Sequence, residues 1–414
     1  MRTNMKVLIV STHDRLGGAA IAAYRLLEAL NKNGAEAKMM VFHKESNNPN
    51  VIKVGNKLMN KARFISERAT IFFKNGFSKK NLFDISIANT GISIVDYPEF
   101  KEADIIHLHW INQGMLSIKE IGEILASGKK VVWTMHDMWP FTGICHHARL
   151  CNHFEAECGL CPYLKSPNKN DLSHSTYLQK QRAYAHGKIH FVACSNWLKR
   201  LALKSTLTMN HKVSSIPNPI NTNTYRQKDK TSLRQLMNLP IDKKIILFVA
   251  AKVSDKRKGI DYLIEASKIL AEKENNYIFL IAGSNSENVI SKLALPTKNA
   301  HYVAQEEMPN MYNVADVFVT PSLQENLPNT IMESMSCGTP CIGFDIGGIP
   351  EMIDHKVNGY IAQYKDAEDL ANGLRWILDE ADSNQLSENA REKAEDNYSE
   401  TQIAMRYLNI YNQA

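Results

Sequence analysis

Two glutamates lie eight residues apart in Glu325-Asn-Leu-Pro-Asn-Thr-Ile-Met-Glu333, followed by Ser-Met-Ser-Cys-Gly338-Thr-Pro340. Ionised carboxylates are pure hydrogen-bond acceptors, which suits sugar hydroxyls rather than anions. Pro328 is favoured in a first helical turn, so the spacing predicts Glu325 in the preceding loop and Glu333 about four residues into a helix, roughly 6 Å along its axis. Backbone N–H groups at such a helix start attract phosphate. The combination reads as a sugar-nucleotide clamp, although two glutamates at this spacing also occur on an ordinary solvated helix edge.

Cations come next. Lys252 and Lys258 stand in Ala251-Lys252-Val-Ser-Asp-Lys-Arg-Lys258-Gly259, after an apolar run and before helical periodicity. Two cations at a strand end suit a diphosphate; a positively charged turn is the plainer alternative. Gly17 and Gly18 separate the first apolar run from the first helix, where glycine lets backbone approach a ligand closely. Their spacing is not G-x-G-x-x-G, so a dinucleotide fingerprint is not supported, and a tight turn also explains them. Gly347, Gly348 and Glu351 form a similar loop with a weaker claim. His136 ends Val131-Val-Trp-Thr-Met-His136-Asp137, at the carboxyl edge of a predicted strand, where parallel sheets bind ligands. His107 and His109, in His-Leu-His-Trp110, read as structural histidines or as lining of an acceptor cleft.

Four of the seven cysteines crowd together at Cys145, Cys151, Cys158 and Cys161, with His146, His147 and His153 among them. The closing Cys-Gly-Leu-Cys has the C-x-x-C spacing of zinc sites. A structural zinc held by the four cysteines is the expectation, with buried unpaired thiols as the alternative. Disulfides are disfavoured in a reducing compartment. Cys194, Cys337 and Cys341 look like core residues.

The elements that must position these groups follow from apolar patterning. Runs at Lys6–Val10, Ala37–Phe42, Asp104–Leu108, Lys130–Trp133 and His190–Ala193 alternate with helix-like stretches such as Ala19–Leu30 and Ser117–Leu125. Continuous apolar strands alternating with helices predict a parallel α/β sheet. Two prolines in Ile216-Pro-Asn-Pro-Ile220 interrupt the pattern. A second alternation has strands at Ile245–Val249, Tyr277–Ala282, Val317–Val319 and Pro340–Gly343, and helices at about Gly259–Ala271, Pro328–Ser336 and Ala367–Asp379. We therefore expect two Rossmann-like domains, 1–216 and 217–397, facing across a cleft, with a helical segment 398–414 packing back on the first. A length of 414 residues with 44% hydrophobic and 22% charged residues excludes a small module and disorder. The apolar runs are too short for a membrane span or a secretory signal, and we expect a cytoplasmic protein.

Net charge is a modest +6, no argument for a nucleic-acid partner. Its distribution is uneven. Between Lys53 and Lys80 eight basic residues (Lys53, Lys57, Lys61, Arg63, Arg68, Lys74, Lys79, Lys80) face Glu67 alone, interleaved with Phe64, Ile65, Ile71, Phe72 and Phe73. This suits a basic amphipathic helix on an anionic membrane face, or a solvated helix packed on its own domain.

With its glutamate pair, following Gly-x-Pro and lysine-glycine loop, the chain resembles the retaining nucleotide-sugar glycosyltransferases of family four, of GT-B fold, over nearly its whole length. The resemblance implies that Glu325 contacts the transferred sugar and Glu333 the nucleotide ribose, with Asn326, Leu327 and Pro328 in the donor-binding loop. Lys258 matches a lysine that neutralises the departing diphosphate. Lys252 stands where arginine is usual, and Ala251 replaces a glycine; Arg257 is a substitute candidate. Gly17 and Gly18 match a loop near donor phosphate and acceptor. His136 matches a residue beside the anomeric carbon, whose backbone carbonyl stabilises the sugar cation. Members resembling this chain carry a similar cysteine cluster after the His136–Gly143 stretch. No two aspartates are separated by one residue, so no catalytic metal is expected. The expected reaction transfers a sugar from a nucleotide donor to a lipid-linked glycan for a bacterial surface polysaccharide, by a protein peripheral on the inner membrane face. The competing functions are a sugar-nucleotide epimerase or hydrolase on the same scaffold, and a catalytically silent sugar-nucleotide sensor or zinc-dependent assembly protein.

Overall fold

The computed structural model describes residues 5–272 and 276–413. The chain divides into two compact units, Met1–Pro219 with Ile403–Ala414, and Ile220–Gln402. The first unit holds seven strands: β1 (Lys6–His13), β2 (Glu36–His43), β3 (Val51–Lys53), β4 (Ile105–Leu108), β5 (Lys130–Met135), β6 (Ile189–Ala193) and β7 (Lys212–Ser215). They pair in parallel in the order β3-β2-β1-β4-β5-β6-β7. The second unit adds β8 (Lys244–Lys252), β9 (Tyr277–Ser284), β10 (Thr297–His301), β11 (Val317–Thr320), β12 (Cys341–Phe344) and β13 (Gly359–Ala362), also parallel, in the order β10-β9-β8-β11-β12-β13.

Parallel sheets need helical crossovers, which cover both faces and leave the inner strands apolar on both sides. β1 shows this directly. Leu8 and Val10 pack into one apolar cluster, while Val7 and Ile9 pack into another on the opposite face. In each sheet the winding direction reverses once, between β1 and β4 and between β8 and β11. Ligands of open α/β sheets bind beyond the carboxyl ends of the strands at such reversals.

The nine strands expected from apolar runs are all present. The four not foreseen, β3, β7, β10 and β13, are the four sheet edges, with only three to five residues each. The helix expected at Pro328–Ser336 runs Asn329–Ser336 with Pro328 as its N-cap. That expected at Ala367–Asp379 ends at Arg375 and continues as a π-turn, Trp376–Glu380.

The helix Glu400–Gln413 spans the boundary between the units, and its final part carries side chains into the first unit's core. Tyr407 shares a 2.8 Å hydrogen bond with Thr134, and Tyr411 a 2.7 Å bond with His107.

The basic segment forms the helix Lys57–Lys74, started by Asn56, whose side chain accepts the Met59 N–H. One expected surface charge is missing. Arg68 turns inward, 2.9 Å from the buried Glu67 carboxylate, and donates to the carbonyls of Leu82 and Ile85. Glu67 in turn accepts the N–H groups of Ile87 and Ala88, at 2.8 Å each. Ile71 is core, Phe64 and Phe72 are half-buried, and Ile65 and Phe73 are exposed. Leu58, Met59, Phe77 and Phe83 extend this exposed apolar surface, beside exposed Lys57, Lys61, Lys74, Lys79 and Lys80.

Candidate functional site

In the second unit the chain leaving β8 and the chain leaving β11 meet just past the sheet reversal. The turn Lys256–Lys258 follows β8, and the Leu323 N–H donates to the Arg257 carbonyl at 2.7 Å. Gly259 has φ +72°, and a Cβ there would stand 1.7 Å from the Pro321 carbonyl oxygen. Only glycine permits that approach. The two chains are thereby pressed together, and Lys258 reaches Glu325, Nζ to Oε2 2.8 Å.

A second glycine turn holds Glu325 from the other side. Gly347 has φ +62°, and a Cβ there would meet the Glu325 carbonyl oxygen at 1.8 Å; the Gly348 N–H donates to the Asn326 carbonyl. The glycines ranked lower in the sequence are therefore the ones that lock the glutamate loop. Within that loop Asn326 is half-buried, while Leu327 and Pro328 are buried.

Glu333 lies inside the helix Asn329–Ser336 and is 6% exposed. Its carboxylate accepts the Tyr312 hydroxyl at 2.8 Å. Burial first, then the Glu333 charge, hold the Tyr312 hydroxyl well above the usual tyrosine range, so it stays a donor. The structure thus makes the glutamates unlike one another: Glu325 pairs with a half-exposed ammonium, Glu333 is buried on a phenol. Tyr312, from the helix Met308–Val314, carried no sequence signal. Lys252 is exposed at the end of β8, and Arg257 is held by Asp255 at 2.8 Å.

In the first unit Gly17 and Gly18 follow β1 and are exposed; Gly17 has φ +90° and open space around a Cβ, so the backbone angle alone calls for glycine there. His136 follows β5. Its Nε2 shares a 2.9 Å bond with His109 Nδ1, and its Nδ1 lies 3.5 Å from the Cys194 sulfur. Burial lowers His136 to about 4 and His107 to about 3, and holds His109 well below its ordinary value. All three are neutral imidazoles near pH 7. His107 and His109 are core residues, His107 being bonded to both Tyr411 and Thr134.

Asp137 is a hub that the sequence did not single out. It accepts the Trp110 indole N–H at 2.9 Å and the Trp139 backbone N–H at 2.8 Å, and shares a 2.7 Å bond with His146. Burial pushes its carboxyl up, but the His146 contact and these donors outweigh it and hold it below the usual range. The turn carrying His136 is fixed by this cluster.

The four clustered cysteines line one small cavity of about 20 Å³ with His153, Phe154 and Tyr163. Among the described residues no three His, Cys, Asp or Glu side chains already stand in a metal-holding arrangement. No described helix is long and apolar enough to cross a membrane.

Residues 16–224 match the family described as Glycosyltransferase Family 4, and residues 229–393 match Glycosyl transferases group 1. An uncharacterized glycosyltransferase of Methanocaldococcus jannaschii is 25% identical over 80% of this chain and 90% of its own length. The N,N'-diacetylbacillosaminyl-diphospho-undecaprenol alpha-1,3-N-acetylgalactosaminyltransferase of Campylobacter jejuni is 33% identical, over 42% of this chain and 46% of its own; the match spans about half of that relative. The sucrose-phosphate synthase of Thermosynechococcus elongatus superposes over 99% of this chain and 98% of its own, with TM-score 0.67 at 18% identity, a likeness of fold.

Proposed function

The chain belongs to glycosyltransferase family 4 and has the GT-B fold, and from that premise we propose a retaining transferase that moves a sugar from a nucleotide-sugar donor to a lipid-linked glycan in the synthesis of a surface polysaccharide. The observation that carries the donor part is the 2.8 Å Lys258–Glu325 pair at the sheet reversal. A carboxylate there accepts hydroxyls of the sugar, and the adjacent ammonium meets the diphosphate oxygens. Glu333, oriented by Tyr312, takes the ribose hydroxyls. Lys252 adds charge from the end of β8.

In this reading the bond from the anomeric carbon to the diphosphate oxygen breaks while the acceptor hydroxyl attacks from the same face. The hydroxyl proton passes to the departing phosphate oxygen. Lys258 and Lys252 stabilise the charge that develops on the leaving group, a role other enzymes give to a divalent ion. The family resemblance gives Gly17 and Gly18 a role toward the donor phosphate and the acceptor. His136 contributes its backbone carbonyl to the developing sugar cation; its neutral side chain adds no opposing charge.

The lipid-linked acceptor is supported by the name of the C. jejuni relative, which includes a diphospho-undecaprenol substrate. It is supported again by the exposed lysines and apolar side chains along and beyond the helix Lys57–Lys74. Such a surface suits an anionic bilayer face.

The test is a screen of nucleotide sugars for nucleoside diphosphate release with and without lipid-linked acceptor extracts. Release should require acceptor, and Lys258→Ala and Glu325→Gln should each lower it by about 10²–10³-fold. Release unaffected by both substitutions would sink the proposal. An altered sugar nucleotide with no acceptor product would favour an epimerase or hydrolase, and binding without turnover a sensor.

A further inference from the structure

The segment after the His136 turn is unusual. From Thr142 to Asp171 its only helical structure is the single turn His153–Glu155, and no strand crosses it beyond an isolated bridge between Ile85 and Cys145. Structureless stretches of this length are uncommon in compact domains. Yet this one is packed: Ile144, Ala148, Phe154, Tyr163 and Leu164 are all buried. Something must hold thirty residues with so few ladder hydrogen bonds.

Its cysteines converge where the segment folds on itself. Cys145, Cys158 and Cys161 are each no more than 8% exposed, Cys151 is half-buried, and all four line the same 20 Å³ cavity. That volume accommodates about one water-sized occupant. The Thr142 hydroxyl donates to the Cys145 backbone carbonyl at 2.6 Å, and the Gly143 N–H donates to the Cys158 sulfur at 3.1 Å. Donors of this kind surround metal-bound sulfur and fix its orientation. The buried Lys180 amine interacts electrostatically with Cys158 and Cys145 while bonded to the carbonyls of Trp139 and Thr142.

The C-x-x-C turn is itself strained. Leu160 has φ +49° although it is 47% exposed, so apolar burial does not account for the conformation.

We infer that Cys145, Cys151, Cys158 and Cys161 bind one zinc ion in a closed, four-sulfur structural site that staples the segment behind the His136–Asp137 turn. Binding is proton-balanced: four thiols release four protons to solvent as four zinc–sulfur bonds form, leaving a complex of charge −2. Among the described residues the sulfurs do not already stand in a metal-holding arrangement, so binding turns cysteine rotamers into the cavity, each χ1 step moving a sulfur by roughly 3 Å. His153 lines the cavity too, but its Nδ1 is engaged by the Gly159 carbonyl at 2.8 Å. A four-sulfur shell leaves no open position, so the ion serves architecture and not the transfer chemistry. It would anchor Thr142 and Trp139, the latter bonded to Asp137.

The experiment uses the full chain purified without chelator, its metal content measured by elemental mass spectrometry and its mass by native mass spectrometry. About one zinc per chain is expected, falling at least fivefold in Cys158→Ser and in Cys161→Ser but not in Cys341→Ser, which lies in the second unit. Should the cluster variants fail to fold, cobalt exchanged into the unaltered chain provides the second readout: four-sulfur tetrahedral charge-transfer bands support the site. Less than about a tenth of a zinc per chain with four alkylatable thiols, disulfides among the four cysteines, iron in place of zinc, or a cobalt spectrum without sulfur bands would each overturn it. Metal content is read independently of turnover, so this result and that of the donor screen stand apart.

Discussion

Gly347→Ala asks whether the glutamate loop owes its position to the turn that presses on it. The substituted Cβ would stand 1.8 Å from the Glu325 carbonyl oxygen, while real Cβ atoms essentially never approach within 3.0 Å, a shortfall of 1.2 Å. Either the turn or Glu325 must move by about that much. The left-handed φ of +62° adds a backbone cost of about 1–2 kcal/mol for any residue with a Cβ. A misplacement of ~1 Å at a reacting centre lowers turnover by about 10²-fold. Gly128→Ala separates the two effects, because Gly128 has φ +74° with nothing within 4 Å of its Cβ. Gly128→Ala should lose about 1–2 kcal/mol in urea unfolding and Gly347→Ala at least as much, but only Gly347→Ala should lose about two orders of magnitude in kcat/KM for nucleoside diphosphate release. A folded Gly347→Ala protein turning over within about threefold of the parent would refute the reasoning.

Three further outcomes are expected. Arg68→Met leaves the Glu67 carboxylate buried without its countercharge and should cost about 3–5 kcal/mol in urea unfolding; adding Glu67→Gln should recover much of it, and a loss below about 1 kcal/mol would contradict the buried pair. His136 and His107 titrate near 4 and 3 in the folded chain against about 6.5 unfolded. The unfolded chain therefore binds more protons as pH falls from about 6.5 to 4, and stability is lost through that window, by about 3 kcal/mol for His136 alone; a urea midpoint flat from pH 7 to about 4.5 would exclude the neutral cluster. Reversing Lys57, Lys61 and Lys74 to glutamate should weaken flotation with anionic liposomes by at least about 10²-fold, at roughly 1 kcal/mol per lysine, and undiminished flotation would remove the membrane surface from the account.

What could be read from the sequence followed the strength of the physical signal. Inner strands such as β1 and β8 are buried on both faces and announce themselves as apolar runs. The edges β3, β7, β10 and β13 are half-solvated, and no run marks them. Lys258 and Glu325 fall beyond the carboxyl ends of β8 and β11, and Gly17 and Gly18 beyond that of β1, because strand, glycine turn and helix start are local patterns. Their partners were not legible. Tyr312 lies far upstream of Glu333, and only the folded chain joins them. Arg68 was counted as a surface charge because helical periodicity looks for apolar stripes, whereas the inward stripe here is Asn60, Glu67, Arg68 and Ile71, three polar residues of four. The cysteine spacing revealed proximity but not the enclosed cavity, which depends on Phe154 and Tyr163 as well.

The first unit takes one piece from beyond the whole of 220–402: Tyr407 and Tyr411 complete hydrogen bonds begun at Thr134 and His107. On a ribosome the amino-terminal half therefore emerges long before it can be finished. The intervening 220–402 body is free to form in the meantime, so the protein made first matures last. Until residues 403–413 arrive, His107 and Thr134 lack their tyrosine partners.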